Sequence, residues 1–234
     1  MRKLDKTKIL STVYHDWLES LESSNQNHPK YTSSKIKKEF YHDIVMNLFN
    51  IQNGLCAYTE QYLCDSGLYD PENWKSGKYQ NDNPEFNGQL DHFDESLKSK
   101  SKDEDGRKDW LWSNLFMVHS DTNTKIKAAK NAEKDNFGNY VLKPDDQCYD
   151  EFIFLEYDIK LHRFRANRKL SDELRIKTDR MIEILGLNYG VLPSKRHKTI
   201  TSHLKMIKFN EYTWETIPFS EFVTAIRMYK NNVV

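Results

Sequence analysis

The sequence predicts an α+β fold that is mostly helical. Three observations carry this: apolar residues repeat at helical spacing toward both ends, strand-like runs are few and short, and the middle of the chain is polar and aperiodic. Leu10, Val13, Trp17 and Leu21 recur at helical spacing, which predicts an amphipathic helix over residues 5–22 with Asp5 as its N-cap. Ser23 to Thr32 reads as a polar connector. Ile36, Phe40, Ile44 and Leu48 repeat every four residues before Asn53-Gly54, so a second helix is predicted from Ser34 to Asn50. Residues 65–88 are rich in Gly, Pro, Asn and Asp without a period and read as an irregular insertion. A short strand carries Asp91, and Lys98 to Lys108 reads as an exposed solvating loop before a second short strand. A helix is predicted over Asn123 to Lys134, followed by a turn at Asn136-Phe137-Gly138-Asn139. Phe152 to Leu155 and Lys160 to Arg165 read as a hairpin joined through Tyr157-Asp158. Three helices complete the chain, capped by Ser171 and ending at Gly186, capped by Ser194 and running toward Lys208, and capped by Ser220 and reaching Tyr229.

With 234 residues, 38% hydrophobic and 13% aromatic, the chain can bury one substantial core or two small ones. Charged residues make up 30%, no apolar run reaches the roughly 20 residues a membrane helix needs, and no apolar leader is visible. The expected compartment is the cytoplasm, with no membrane partner. Cys56, Cys64 and Cys148 are too few, and odd in number, for a disulfide framework, and read as reduced thiols.

Net charge is zero, from 35 basic and 35 acidic residues, but the charges are unevenly placed. Residues 56–110 hold seven Lys/Arg against thirteen Asp/Glu, whereas residues 160–208 hold thirteen Lys/Arg against four Asp/Glu. Any affinity for phosphate would therefore draw on a metal held in the acidic segment and on the basic C-terminal part.

Chemistry concentrates in one split constellation: Asp91-His92 within Gln89-Leu90-Asp91-His92-Phe93, Asn114 in Trp112-Ser113-Asn114-Leu115, and Asn123 in His119-Ser120-Asp121-Thr122-Asn123. Leu55-Cys56-Ala57-Tyr58-Thr59-Glu60 precedes it, and Asn114 and Asn123 are nine apart. This pattern resembles the HNH, or ββα-metal, nuclease motif in an H-N-N form. Ile182-Glu183-Ile184-Leu185-Gly186-Leu187-Asn188, with Leu192 and Arg196, is similar to the helical tail of PtuB-like HNH effectors of Septu and retron anti-phage systems. The resemblance implies a ββα-metal module with flanking N-terminal and C-terminal helices. The organisation would be a helical prefix over 1–51, the nuclease module over 52–135, and a hairpin with helices over 136–234 that forms one unit with the module.

Phosphodiester hydrolysis needs an activated nucleophile, stabilisation of the charge that develops on phosphorus oxygens, and relief for the leaving oxygen. The resemblance assigns Asp91 and Asn123 to a divalent metal, Mg²⁺ or Mn²⁺. His92 fits the general base, because its ordinary pKa lies near neutrality. Asn114 completes the catalytic set by bonding backbone across the motif loop and so holding the His92 strand. His119, Lys125 and Lys127 are candidate phosphate contacts. HNH relatives with a structural zinc carry two Cys-x-x-Cys pairs, and here Thr59 and Thr122 stand where thiolates would be needed, so structural zinc is expected to be absent. The resemblance implies a nuclease effector acting on DNA with a PtuA-like ATPase as partner. The alternatives are a nuclease of structured RNA such as tRNA, or a binding subunit without turnover.

Overall fold

The computed structural model describes residues 1–98, 106–127, 141–218 and 221–233, without the side chains of residues 125 and 126. Among them lie helices α1 (Thr12–Ser23) and α2 (Ser34–Gln52), then strands β1 (Trp74–Lys75), β2 (Lys78–Tyr79), β3 (Gln89–His92) and β4 (Leu115–Val118), and a π-helical turn over Thr122–Lys127. A one-turn helix α3 (Glu151–Phe154) leads into β5 (Leu155–Asp158) and β6 (Arg163–Ala166), and α4 (Asp172–Ile184), α5 (Leu192–Lys208) and α6 (Val223–Val233) follow. The strands form three antiparallel pairs, β1 with β2, β3 with β4, and β5 with β6. The fold is α+β, as the sequence predicts, and among the described residues no helix is long and apolar enough to cross a membrane.

α2 is the platform for the candidate site. Ile36, Phe40, Ile44 and Leu48, whose spacing predicts the helix, are all buried. Near its C-terminal end the Gln52 amide donates to the carbonyls of Leu55 (2.7 Å) and Met117 (2.8 Å) and accepts from Met117 N (3.0 Å), which pins β4 to the helix. The helix stops because Asn53 turns left-handed at φ 52° and Gly54 follows at φ 69°. A Cβ on Gly54 would land on the Cys64 carbonyl oxygen. Gly54→Ala should therefore cost about 2 kcal/mol and lower the melting midpoint by roughly 4–8 °C, read by thermal unfolding.

α1 begins at Thr12, not near residue 5. Tertiary contacts take the first residues away from the helix: the Asp5 side chain accepts from Thr7 N (3.0 Å), and Lys6 is drawn inward to donate to the carbonyls of Trp112 and Leu115. Tyr14 of α1 donates to the Trp110 carbonyl (2.6 Å), and Trp17 stacks on Phe40 at 4.8 Å. The prefix thus grips the segment that leads into β4. One cluster of buried apolar side chains runs from Leu4 through Phe49, Tyr58, Phe116, Leu155 and Ile182 to Met228, so prefix, motif region and C-terminal elements share a core.

The second hairpin is displaced from its predicted position. The Asp150 carboxylate accepts from Phe152 N (2.8 Å) and Ile153 N (3.3 Å), capping α3 where a strand is predicted. The strand starts at Leu155, pairs Tyr157 with Phe164, and turns after Asp158. Within the 65–88 segment, β1 and β2 pair around Ser76 and Gly77, both at positive φ, so that stretch is not wholly irregular. Ser171 caps α4 as predicted, and Gly186 at φ 68° ends that segment while Leu187 N bonds back to Ile182 O at 2.9 Å. α5 starts at Leu192 with Pro193 in its first turn, two residues before the predicted cap at Ser194. The predicted cap Ser220, the loop core at 99–105, and the region 128–140 with the end of the motif helix and its turn lie outside the described residues.

Candidate active site

β3 and β4 pair with Asp91 opposite Phe116 and His92 opposite Leu115. Successive side chains of a strand leave on opposite faces, and Asp91 and His92 part accordingly. His92 lines a cavity of about 300 Å³ together with Tyr31, Tyr41, Gln89, Glu95, Lys98 and Asn123. Asp91 does not line it. Its carboxylate, only 1% exposed, is turned into the core under Tyr58 and Lys127.

The His92 ring is held in one tautomer. Its Nε2 lies 2.7 Å from the Asp109 carbonyl oxygen, which can only accept, so Nε2 carries the hydrogen and the lone pair sits on Nδ1. Burial holds the imidazole below its ordinary pKa, although the bond to Asp109 opposes that shift, and the ring is neutral at neutral pH. The ring of Tyr31 packs edge-on against it at 4.9 Å. The accepting carbonyl is itself fixed: Tyr31 N donates to the Asp109 carboxylate (2.7 Å), and Trp110 N donates to Nδ1 of the fully buried His28 (3.1 Å).

Asn114 sits beyond the end of β3, outside the cavity. Its Oδ1 accepts from Asp94 N (2.8 Å) and its Nδ2 donates to Asp94 O (3.0 Å), while Phe93 N donates to the Asn114 carbonyl (2.8 Å). Both ends of the amide therefore clamp the chain just after His92. Asn123, at the start of the π-helical turn, is half-buried and donates to the Gln89 amide oxygen at 3.4 Å.

Lys127 requires a correction. Read as a phosphate contact, it is 1% exposed, and its ammonium donates to Asp91 Oδ1 (2.8 Å), Asp91 Oδ2 (2.9 Å) and the His92 carbonyl. Lys127 ends the π-helical turn and lies in the core, not in the cavity wall. His119 is half-buried and does not line the cavity; its Nδ1 accepts from Asp121 N at 3.2 Å. The side chain of Lys125 lies outside the described residues.

Asp91 and Asn123 do not fit a shared divalent ion as they stand. Tyr58 donates to Asp91 Oδ2 at 2.6 Å, and burial with that carboxylate alongside pushes the phenol well above its ordinary pKa, so the hydroxyl remains the donor. With Lys127 on both oxygens, a metal at Asp91 would have to displace an ammonium and a phenol. Asn123 meanwhile faces the other side of the strand. Among the described residues, the only grouping of three acidic, His or Cys side chains with ligand atoms close together is His15, Asp16 and Glu19 on α1, and its two carboxylates are exposed.

The two segments that resemble the zinc-holding words of HNH proteins meet here. His119 N donates to Cys56 Sγ (3.3 Å), as does Thr59 N (3.5 Å), and Ala57 N bonds the Met117 carbonyl (3.0 Å). Thr59 and Thr122 are both buried. Cys64 Sγ points to the Asp65 carbonyl at 3.6 Å, and burial pushes its thiol up to about 12, so it stays protonated.

Sequence reasoning missed Tyr31, Glu95 and Lys98 as cavity residues, and Asp109 and His28 as the support for His92. Nothing in their spacing marks them; they are brought in by the prefix and by a loop. No protein-family model matches the chain, and no curated protein matches it significantly.

Proposed function

We propose that the chain is a phosphodiester hydrolase of the HNH kind acting on DNA, the nuclease member of an anti-phage pair with a PtuA-like ATPase. The observation that carries the hydrolytic reading is the His92 geometry: a neutral imidazole with its tautomer fixed by a backbone carbonyl, lining a cavity beside amide and ammonium donors. The resemblance of the motif words supplies the substrate and the partner. In this reading β3, β4 and the π-helical turn belong to the ββα module.

His92 Nδ1 takes a proton from water as it attacks phosphorus. The P–O bond to the leaving sugar oxygen breaks, and that oxygen is protonated by the imidazolium or by solvent, which returns His92 to its neutral form. Lys98 and Asn123, which line the same cavity, present N–H donors to the non-bridging oxygens where charge builds. Glu95 would repel a phosphate, but the Lys98 ammonium lies 3.4 Å from its carboxylate and offsets it. Asn114 acts through Asp94 and is a positioning residue. Asp91, the carboxylate that the resemblance offers to a divalent ion, is held by Lys127.

The test incubates the purified chain with supercoiled DNA or with tRNA, with Mg²⁺, Mn²⁺ or a chelator, and with or without a candidate ATPase. Nicking or linearisation of the DNA is expected. Preferential cutting of tRNA would replace the substrate, and no cutting under any condition would overturn the reading.

A further inference from the structure

A second cavity, of about 340 Å³, lies between the β5–β6 hairpin and α6, built from residues the proposed hydrolysis does not use. Its walls include Arg165, Arg168, Lys169, Asn231, Glu156 and Phe152. Three cations face one carboxylate. Glu156 accepts from Arg165 Nε (3.0 Å) and Arg168 Nε (3.2 Å) through the same Oε2, and its Oε1 accepts from Arg168 N (3.1 Å).

This arrangement gathers two guanidinium groups and engages both through Nε, with Arg165 Nη1 also 3.9 Å from Asp158 Oδ2. Among the described residues the terminal nitrogens of Arg168, the Lys169 ammonium and the Asn231 amide have no protein partner. Those donors suit a tetrahedral oxyanion, since guanidinium meets phosphate through paired N–H groups. The surroundings share the sign, with thirteen Lys/Arg against four Asp/Glu over residues 160–208. Phe152, 43% exposed, offers a ring for a base to stack on.

We propose that this cavity is a phosphate-binding site, taking the phosphate group of a nucleotide or of a nucleic acid strand. Arg165 and Arg168 grip the oxyanion, Lys169 and Asn231 close around it, and the charge of Glu156 restrains affinity for any one anion. The proposal does not rest on the hydrolase reading: binding at this site is measured without turnover.

The experiment is fluorescence anisotropy of a labelled single-stranded oligonucleotide with the full chain on ice, with the probe's length checked on a gel afterwards. The wild type should bind with an affinity that falls as salt rises. Arg168→Ala with Lys169→Ala, both at exposed positions, should weaken binding roughly tenfold and reduce the log–log salt slope by about 1.4, the share of two contacts on a single strand. Glu156→Gln should change affinity in the opposite sense, because a negative charge leaves the site. Displacement of the probe by millimolar adenosine monophosphate would assign the site to free nucleotides, and resistance to it would assign the site to strand phosphates; both keep the phosphate chemistry. No binding by the wild type, an unchanged affinity and slope in the double variant, or weaker binding by Glu156→Gln would overturn the proposal.

Discussion

His92→Ala should lower DNA cleavage by roughly 10²–10⁴-fold, the contribution of a positioned general base, while the chain stays folded. The ring is 2% exposed, so its loss leaves a void and strips the Asp109 carbonyl of its donor. Those costs fall on a cavity wall, since Tyr31 is the ring packed on it and the backbone there is held independently by Asn114. Far-UV circular dichroism and a thermal melt should therefore keep the wild-type form, with a modest drop in midpoint. Added imidazole should restore part of the lost rate, because the defect is a missing base beside an intact cavity. Turnover equal to the wild type would remove His92 from the chemistry. A variant that fails to fold would be replaced by His92→Asn, whose amide can still donate near Asp109 but cannot take up a proton.

The legible part of the fold was the part written in local periodicity. α2 and α4 have apolar stripes, a left-handed stop and, for α4, a capping serine, and the structure places both close to the predicted bounds. The errors have one cause, tertiary contacts that outweigh a local signal. Lys6 is pulled down onto the carbonyls of Trp112, just before β4, and of Leu115, its first residue, which keeps residues 5–10 out of α1. The Asp150 cap turns Phe152 and Ile153 helical although both have strand character. In the site, alternation along β3 separates Asp91 from His92, as any strand would. The fate of Lys127 could not be read in this way. On an α-helix Asn123 and Lys127, four apart, would share a face, and both could then look toward one substrate. In the structure Asn123 stands in the cavity wall, whereas the buried Asp91 carboxylate holds Lys127 in the core. Hydrophobic patterning carries no mark that this lysine is drawn inward by a buried carboxylate.

Lys127→Met should destabilise the chain by about 3–5 kcal/mol, the cost of leaving one partner of a buried ion pair charged and alone. At roughly 2–4 °C per kcal/mol for a chain of this size, the melting midpoint should fall by roughly 6–20 °C. The reasoning is local: the ammonium serves both Asp91 oxygens and the His92 carbonyl, and Asp91 is 1% exposed, so water cannot replace the lost donors without opening the core. Tyr58 would be left as one donor to a full negative charge. Removing that charge as well should reverse much of the loss. Asp91→Asn keeps an oxygen for the Tyr58 hydroxyl, and the double variant should melt well above Lys127→Met, giving a coupling energy from the four-member cycle. Divalent ions provide the second readout. With the ammonium in place Asp91 has no open oxygen, whereas in Lys127→Met the unpaired carboxylate should take up Mn²⁺ in a titration and recover part of the lost stability. If the wild type instead binds one equivalent of Mn²⁺ that Asp91→Asn abolishes, Lys127 gives way to metal and Asp91 is a cation ligand after all. If Lys127→Met melts with the wild type, the buried pair does not hold β3 in place.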